Sequence, residues 1–164
     1  MTKLAIGIDL HRCIGCNTCA LACKMQNNVP DGMLWNRVLT EDCDVVDGAL
    51  GTYPNVTRTF LPVACQHCEN PACVKVCPVG ATYKDPETGV VRQDYDKCIG
   101  CRMCMAACPY GARIQIKKTG VIEKCRFCWY EGEPGNPPRC VGTCISGARL
   151  FGDLDDPQLS LIHI

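Results

Sequence analysis

Cys98-Ile-Gly-Cys101-Arg-Met-Cys104-Met-Ala-Ala-Cys108-Pro109 sets four thiols at the spacing C-x2-C-x2-C-x3-C, closed by a proline. The first three fall on one short loop and can grip three corners of an iron–sulfur cube. Gly100 lets the loop backbone come close, so amide N–H groups can reach sulfur with no Cβ in the way. The fourth thiol comes about one helical turn later and faces elsewhere; in chains with two such clusters it serves the second. One run of this kind therefore requires another.

Three more groups meet that requirement. Cys13, Cys16, Cys19 and Cys23 repeat the spacing, again with Ile-Gly inside the first pair. Cys65, Cys68, Cys73 and Cys77 are spaced C-x2-C-x4-C-x3-C, with Pro78 behind them. Cys125, Cys128, Cys140 and Cys144 open with C-x2-C and close with C-x3-C around an 11-residue loop rich in Gly and Pro, Trp129 to Arg139. An internal repeat supports this parsing. Val76-Cys77-Pro78-Val79-Gly80-Ala81 matches Ala107-Cys108-Pro109-Tyr110-Gly111-Ala112, and Thr143-Cys144-Ile145-Ser146-Gly147-Ala148 is a weaker third copy. Each copy sets Gly-Ala three residues past the fourth cysteine, where a helix is expected to end in a tight turn.

Between the groups the chain reads as short elements. Residues 4–10 suggest a strand, and Asn17 to Gln26 a helix capped by Asn17 or Thr18. Residues 24–64 form an insert without metal spacing, in which 38–40 and 57–63 read as strands of a hairpin. Residues 79–97 suggest a second hairpin, and Ile114-Gln115-Ile116 alternates like a strand. The tail from Phe151 to Ile164 has no ligands and reads as cut short.

Composition narrows the class. The chain has 17 Cys in 164 residues, which is the range of a disulfide or metal scaffold. Aromatics are 6% and only three residues are Phe, so a core of side chains alone is thin and something else must hold the fold. Lys+Arg and Asp+Glu both number 17, which gives no basic surface for nucleic acid. Residues 1–10 hold one Lys and no long apolar stretch, so no signal peptide is expected. No run approaches the roughly 18 apolar residues of a transmembrane helix. The expectation is a soluble chain, or one that reaches a membrane only through partners.

Three chemistries compete for the cysteines. A disulfide framework fits badly, because thiols three apart on one loop suit chelation of one centre and an odd total leaves one over. Zinc sites are possible by count, yet zinc ribbons use separated C-x2-C pairs. Four iron–sulfur clusters fit best, since two groups match the spacing and two are near variants. Cys43 is expected to be a thiol without metal. His67 reads as a neighbour of a centre or a solvent residue, and His11 and His163 carry no spacing. Trp129 and Tyr130, beside Cys128, suit a water shield. Lys97, Lys124 and Arg102 lie near anionic centres, with exposed charge as the default. No phosphate loop, His-rich metal site or Ser/His/Asp set is present, so no catalytic residues are assigned.

The segments Cys65-Gln-His-Cys68-Glu-Asn-Pro-Ala-Cys73, Cys98-Ile-Gly-Cys101, Cys108-Pro-Tyr-Gly-Ala112 and Phe151-Gly152-Asp153 resemble the four-cluster iron–sulfur subunits of molybdopterin oxidoreductases, of the dimethyl sulfoxide reductase type, over about residues 4–153. The resemblance implies an α+β fold of two pseudo-symmetric ferredoxin-like lobes with a β-hairpin insert. One lobe would take 1–37 with 113–153, the other 63–112, with the insert at 38–62 and a tail at 154–164. It implies four 4Fe–4S clusters: Cys13, Cys16, Cys19 and Cys144 for one; Cys125, Cys128, Cys140 and Cys23 for its neighbour; Cys65, Cys68, Cys73 and Cys108 for a third; Cys98, Cys101, Cys104 and Cys77 for the fourth. Cys101 stands where the nitrate reductase branch has Trp and a three-iron cluster. Ile145 departs from the family's Pro after the fourth cysteine.

The function implied is a non-catalytic electron relay between a membrane quinol or quinone anchor subunit and a molybdopterin catalytic subunit. The alternatives are a free soluble polyferredoxin and, further off, a zinc interaction module. Zero net charge weighs against a free carrier, which would use charge to steer encounters. The expected location is cytoplasmic, or membrane-associated through partners, or outside by export with a partner that bears the signal.

Overall fold

The computed structural model describes residues 4–40, 50–128 and 136–155. Cys43, Trp129, Tyr130 and the last residues with His163 lie outside them. In order the elements are β1 (Leu4–Ile8), α1 (Thr18–Gln26), β2 (Arg37–Thr40), β3 (Leu50–Thr52), β4 (Asn55–Thr57), β5 (Phe60–Val63) and α2 (Ala72–Lys75). They continue as β6 (Thr82–Lys84), β7 (Val91–Gln93), α3 (Met103–Ala106), β8 (Ile114–Gln115), β9 (Ile122–Glu123), α4 (Arg139–Gly142) and β10 (Arg149–Asp153). The class is α+β, with the described strands in five separate antiparallel pairs.

The longest-range pair joins the ends of the described chain. β1 runs against β10 with Leu4 opposite Asp153 and Ile8 opposite Arg149. Its apolar Leu-Ala-Ile-Gly-Ile is half-buried throughout, as the sequence suggested. α1 packs on α4 beside this pair, and α2 packs on α3. The first and fourth cysteine groups thus share one set of contacts, and the second and third share another.

Helix α1 buries Cys19, Ala20 and Cys23, one face at helical spacing. Asn17 does start it, but not as a side-chain cap. Its backbone is left-handed (φ 58°), no cap hydrogen bond forms, and its Nδ2 donates to the Gly15 carbonyl at 3.3 Å. The loop geometry of the cysteines decides that backbone. After the helix, Lys24 Nζ donates to the carbonyls of Val29 (2.9 Å) and Pro30 (2.5 Å) and folds the chain back. Val29, Trp35 and Cys23 then form a small core with Met33 and Ile114 packed on it. Arg126 lies 5.1 Å from the Trp35 ring centre and 5.1 Å from that of Tyr95. A cation between two aromatic faces stabilises by about 0.5–2 kcal/mol per face.

The insert is more than the one hairpin expected. β2 pairs with β5, with Arg37 opposite Val63 and Thr40 opposite Phe60. Thr57, assigned to the outer strand from sequence, belongs to β4, which pairs with β3 as a separate inner hairpin. All six residues of that inner pair are exposed, so no hydrophobic alternation marked them. The hairpin at 79–97 forms as β6 with β7, and 114–115 pair with 122–123.

The internal repeat is a repeat of backbone. α2, α3 and α4 are each four residues long. After each, the cysteine N–H bonds back to the helix and the glycine N–H bonds to the cysteine carbonyl: Gly80 to Cys77 at 3.4 Å, Gly111 to Cys108 at 3.2 Å, Gly147 to Cys144 at 3.1 Å. These helices end before the cysteine, not at Gly-Ala as expected, so three of the four last cysteines sit in turns and only Cys23 lies in a helix. Ile145 forms the same turn as the prolines at 78 and 109, so its departure costs the geometry nothing visible.

Gly100 tests the close-packed loops. It has φ +68°, and a Cβ there would stand 2.5 Å from the Gly120 carbonyl oxygen, whereas at Gly32 (φ +73°) a Cβ would meet nothing within 4 Å. Both Ala variants carry the left-handed cost of about 1–2 kcal/mol. Gly100→Ala is expected to lose clearly more stability than Gly32→Ala in anaerobic denaturant titrations. Equal losses would show that the approach to Gly120 carries no cost.

Candidate metal centres

The four C-x2-C loops share one backbone device. The residue before the second cysteine is left-handed in each: Gly15 (φ 67°), His67 (φ 44°), Gly100 (φ 68°) and Phe127 (φ 57°). Such a turn lets three successive cysteines face one side. Glycine takes it at no steric cost, whereas His67 and Phe127 are uncommon there and need support from their surroundings. They have it from one another. Their rings meet edge to face with centroids 5.4 Å apart, and Phe127 leans on Phe151 of β10 at 6.1 Å. The second and fourth groups touch through this ring pair.

All sixteen described cysteines are free thiols. Cys13, Cys16, Cys19 and Cys144 line one cavity with Val38, Pro62 and Arg149. Cys77, Cys98, Cys101 and Cys104 line another. Burial, then the like charges of Cys125, Cys140 and Cys128, push the Cys23 thiol up to about 12. Burial pushes Cys125 up to about 12 as well, with Cys65 and Cys140 adding to it. Cys65 is raised by burial and feels Cys73. Cys68 and Cys108 are half-buried. Lys84 Nζ holds the Cys68 carbonyl at 3.3 Å and that of Glu69 at 2.8 Å, and Cys108 occupies the turn after α3.

The last cysteines of two groups sit in nests of N–H donors. Burial pushes Cys77 up, but the N–H groups of Thr82, Val79 and Ala81 and the Thr82 hydroxyl outweigh it and hold the thiol below its ordinary range. At Cys144, burial is likewise outweighed by the Ser146 hydroxyl and the N–H groups of Arg149, Ala148 and Ser146. These donors stabilise a thiolate, the form that binds metal.

His67 is half-buried and Nδ1 accepts from the Val91 N–H at 3.2 Å. Burial, then Lys124, Arg113 and Arg92, push it down to about 3, so it is neutral near pH 7. Its proton therefore sits on Nε2, a buried donor without an acceptor among the described residues. Nε2 makes no solvent contact there, which goes against the reading of His67 as a solvent residue.

Lys97 and Arg102 keep the exposed default, and Lys124 departs from it. Lys97 is exposed and pairs with Asp94 at 3.0 Å, and Arg102 is exposed. Lys124 is only 2% exposed, and so are two residues that sequence reasoning passed over, Arg113 (3%) and Arg149 (6%). Arg113 donates to the Cys73 sulfur at 3.1 Å. The repeat held the missing clue, since both arginines stand fifth after the last cysteine of their groups.

These residues fit iron–sulfur clusters. Among the described residues no three Cys, His, Asp or Glu converge as a single ion requires. The first three thiols of the first and third groups, with Cys144 and Cys77, instead stand around cavities, as a centre with several iron corners needs. Buried cations and N–H donors surround them, suited to an anionic group.

Residues 56–154 match the family model described as a 4Fe-4S dicluster domain. The chain belongs to that family. A second model, a 4Fe-4S binding domain, matches residues 10–26. The dicluster chain is 50% identical to a Halobacterium salinarum protein named as a dimethyl sulfoxide reductase iron–sulfur subunit, across 95% of this chain and 68% of that one. It is 43% identical to a subunit of the sulfite dehydrogenase of Allochromatium vinosum, across 96% and 72%. It is 43% identical to a thiosulfate reductase electron transfer subunit of Salmonella typhi, across 92% and 76%. Such subunits carry electrons, and the dicluster chain is a non-catalytic member of their kind.

A 4Fe–4S protein with so small a hydrophobic core depends on its metal to fold. Anaerobic iron chelation is expected to abolish the cooperative unfolding transition and most far-ultraviolet ellipticity. A chelated chain that keeps its circular dichroism would contradict this.

Proposed function

We propose that the chain is the electron relay of a molybdopterin oxidoreductase complex, holding four 4Fe–4S clusters between a membrane quinol or quinone anchor and a catalytic molybdenum subunit. The ligand sets would be Cys13, Cys16, Cys19 and Cys144; Cys125, Cys128, Cys140 and Cys23; Cys65, Cys68, Cys73 and Cys108; and Cys98, Cys101, Cys104 and Cys77. The observation that carries this reading is the sharing of thiols between groups. Cys144 lines the cavity of the first group, Cys77 that of the third, and Cys23 lies in the field of the fourth. That exchange is the habit of two-cluster ferredoxins, and it supports two ferredoxin-like lobes.

Each cluster, when bound, takes up and gives back one electron. The protein's part is to hold the thiols, offset their charge and keep water out. Cys16 and Cys101 are the exposed members of their sets, flanked by exposed Ile14 and Ile99. A relay needs two such openings, one toward each partner.

Two experiments test this. Anaerobic purification from the source should yield a complex with a larger molybdopterin protein, and about sixteen iron and sixteen labile sulfide per relay chain. The isolated chain should turn over no sulfoxide, polysulfide, nitrite or formate. Full activity from the chain alone, or a colourless protein with about four zinc, would overturn the reading.

Cys144→Ala is expected to damage the cluster of Cys13, Cys16 and Cys19 and to leave that of Cys125, Cys128 and Cys140 nearly intact. Electron paramagnetic resonance of the reduced variant reads this directly. The opposite pattern would reverse the pairing of the first and fourth groups.

A further inference from the structure

Two buried arginines stand where one thiol set meets the next. Arg149 lines the cavity of Cys13, Cys16, Cys19 and Cys144, and its charge also acts on Cys140 of the neighbouring set. Cys140 and Cys19 feel one another across that junction. Arg113 donates to the Cys73 sulfur at 3.1 Å, and Thr82 and Gln93, which it also hydrogen-bonds, line the cavity of Cys77, Cys98, Cys101 and Cys104.

The remaining contacts of these cations are neutral. Arg149 donates to Asn36 Oδ1 at 2.8 Å, and Arg113 to Thr82 Oγ1 at 3.2 Å and Gln93 Oε1 at 3.0 Å. The ion pairs recorded among the described residues involve Lys24, Arg92 and Lys97 instead. A buried charge without a counter-ion is strongly disfavoured, so each cation must answer negative charge on the thiol sets beside it. Arginine stays protonated throughout, so the charge of these two residues involves no titration. The repeat supplies those two at one position, fifth after Cys108 and Cys144. After Cys77 that position is Thr82, whose hydroxyl is bonded to Arg113.

We propose that Arg149 and Arg113 are junction charges, each set between two neighbouring clusters, raising the reduction potential of both and screening an electron on one from the next. This rests on the ligand sets proposed above. Reduction potentials respond to local charge and to hydrogen bonds on the ligand sulfurs, and Arg113 offers both. A row of anionic centres without such charges would resist a second electron wherever the first one sits. A cation at each of these two junctions lowers that resistance and favours no direction. These are positioning residues, since they act on the clusters through charge and sulfur contacts.

The test compares neutral with charge-keeping variants of the anaerobic full chain: Arg113→Gln with Arg113→Lys and Arg149→Gln with Arg149→Lys. Iron is counted first, and each cluster is then titrated by electron paramagnetic resonance. Each neutral variant should lower the midpoints of the two flanking clusters by about tenfold in the reduction equilibrium, ~59 mV for one electron. The other two clusters should stay in place, and the charge-keeping partner should shift less. Unmoved midpoints, an equal shift of all four clusters, or an equal shift in the charge-keeping variant would overturn the proposal. If a neutral variant sheds iron, retention by its partner supports the role of charge, and loss from both overturns it. The unaltered chain separates the two readings. About sixteen iron with unmoved midpoints in the variants overturns the junction role alone, and a different count overturns the ligand sets with it.

Discussion

The burial of thiols side by side, away from water, is the constraint on which this structure depends. Burial and neighbouring sulfurs push Cys23 and Cys125 up to about 12, far from the form that binds metal. Left to themselves these groups would stay protonated or drive the chain apart. The fold gathers them anyway, and what makes the gathering favourable is a cationic centre to share. Everything else is arranged to the same end: N–H nests at Cys77 and Cys144, a neutral imidazole at His67, guanidinium groups in the interior. Metal affinity and folding free energy are then one quantity seen twice.

Much of this was legible in the spacing, because chelation by short loops is a local matter. Cys98 to Cys108 announces its geometry in twelve residues, and the repeat Cys-Pro-x-Gly-Ala describes a real turn. The strands at 4–8, 82–84, 91–93 and 114–115 followed from local pattern too. Other features depend on partners far away in sequence. Asn17 begins a helix, yet the neighbouring loop sets its backbone and removes its cap. The inner hairpin of the insert is exposed on every residue and so left no alternation to read. His67 and Phe127 take a glycine's conformation because each braces the other.

The buried cations show the limit most clearly. Arg113, Lys124 and Arg149 look like surface residues in a chain of zero net charge. Their burial goes with partners far away in sequence, such as Cys73 and Thr82 for Arg113, Val91 for Lys124 and Asn36 for Arg149, which no window of sequence contains. The clue lay in comparing copies of the repeat with one another.

The pairing of β1 with β10 has a consequence for synthesis. A ribosome releases Cys65 to Cys108 as one uninterrupted stretch, and the thiols of the second and third groups can meet while the rest is still being made. Cys13, Cys16 and Cys19 appear first of all but lie against Cys144, and β1 finds β10 only after nearly the whole described chain has emerged. The earliest thiols are therefore the last to be enclosed. During that interval they are open to oxygen and to stray metals, so a cell must load this half late, under reducing conditions, or shield the nascent segment until its distant partner arrives.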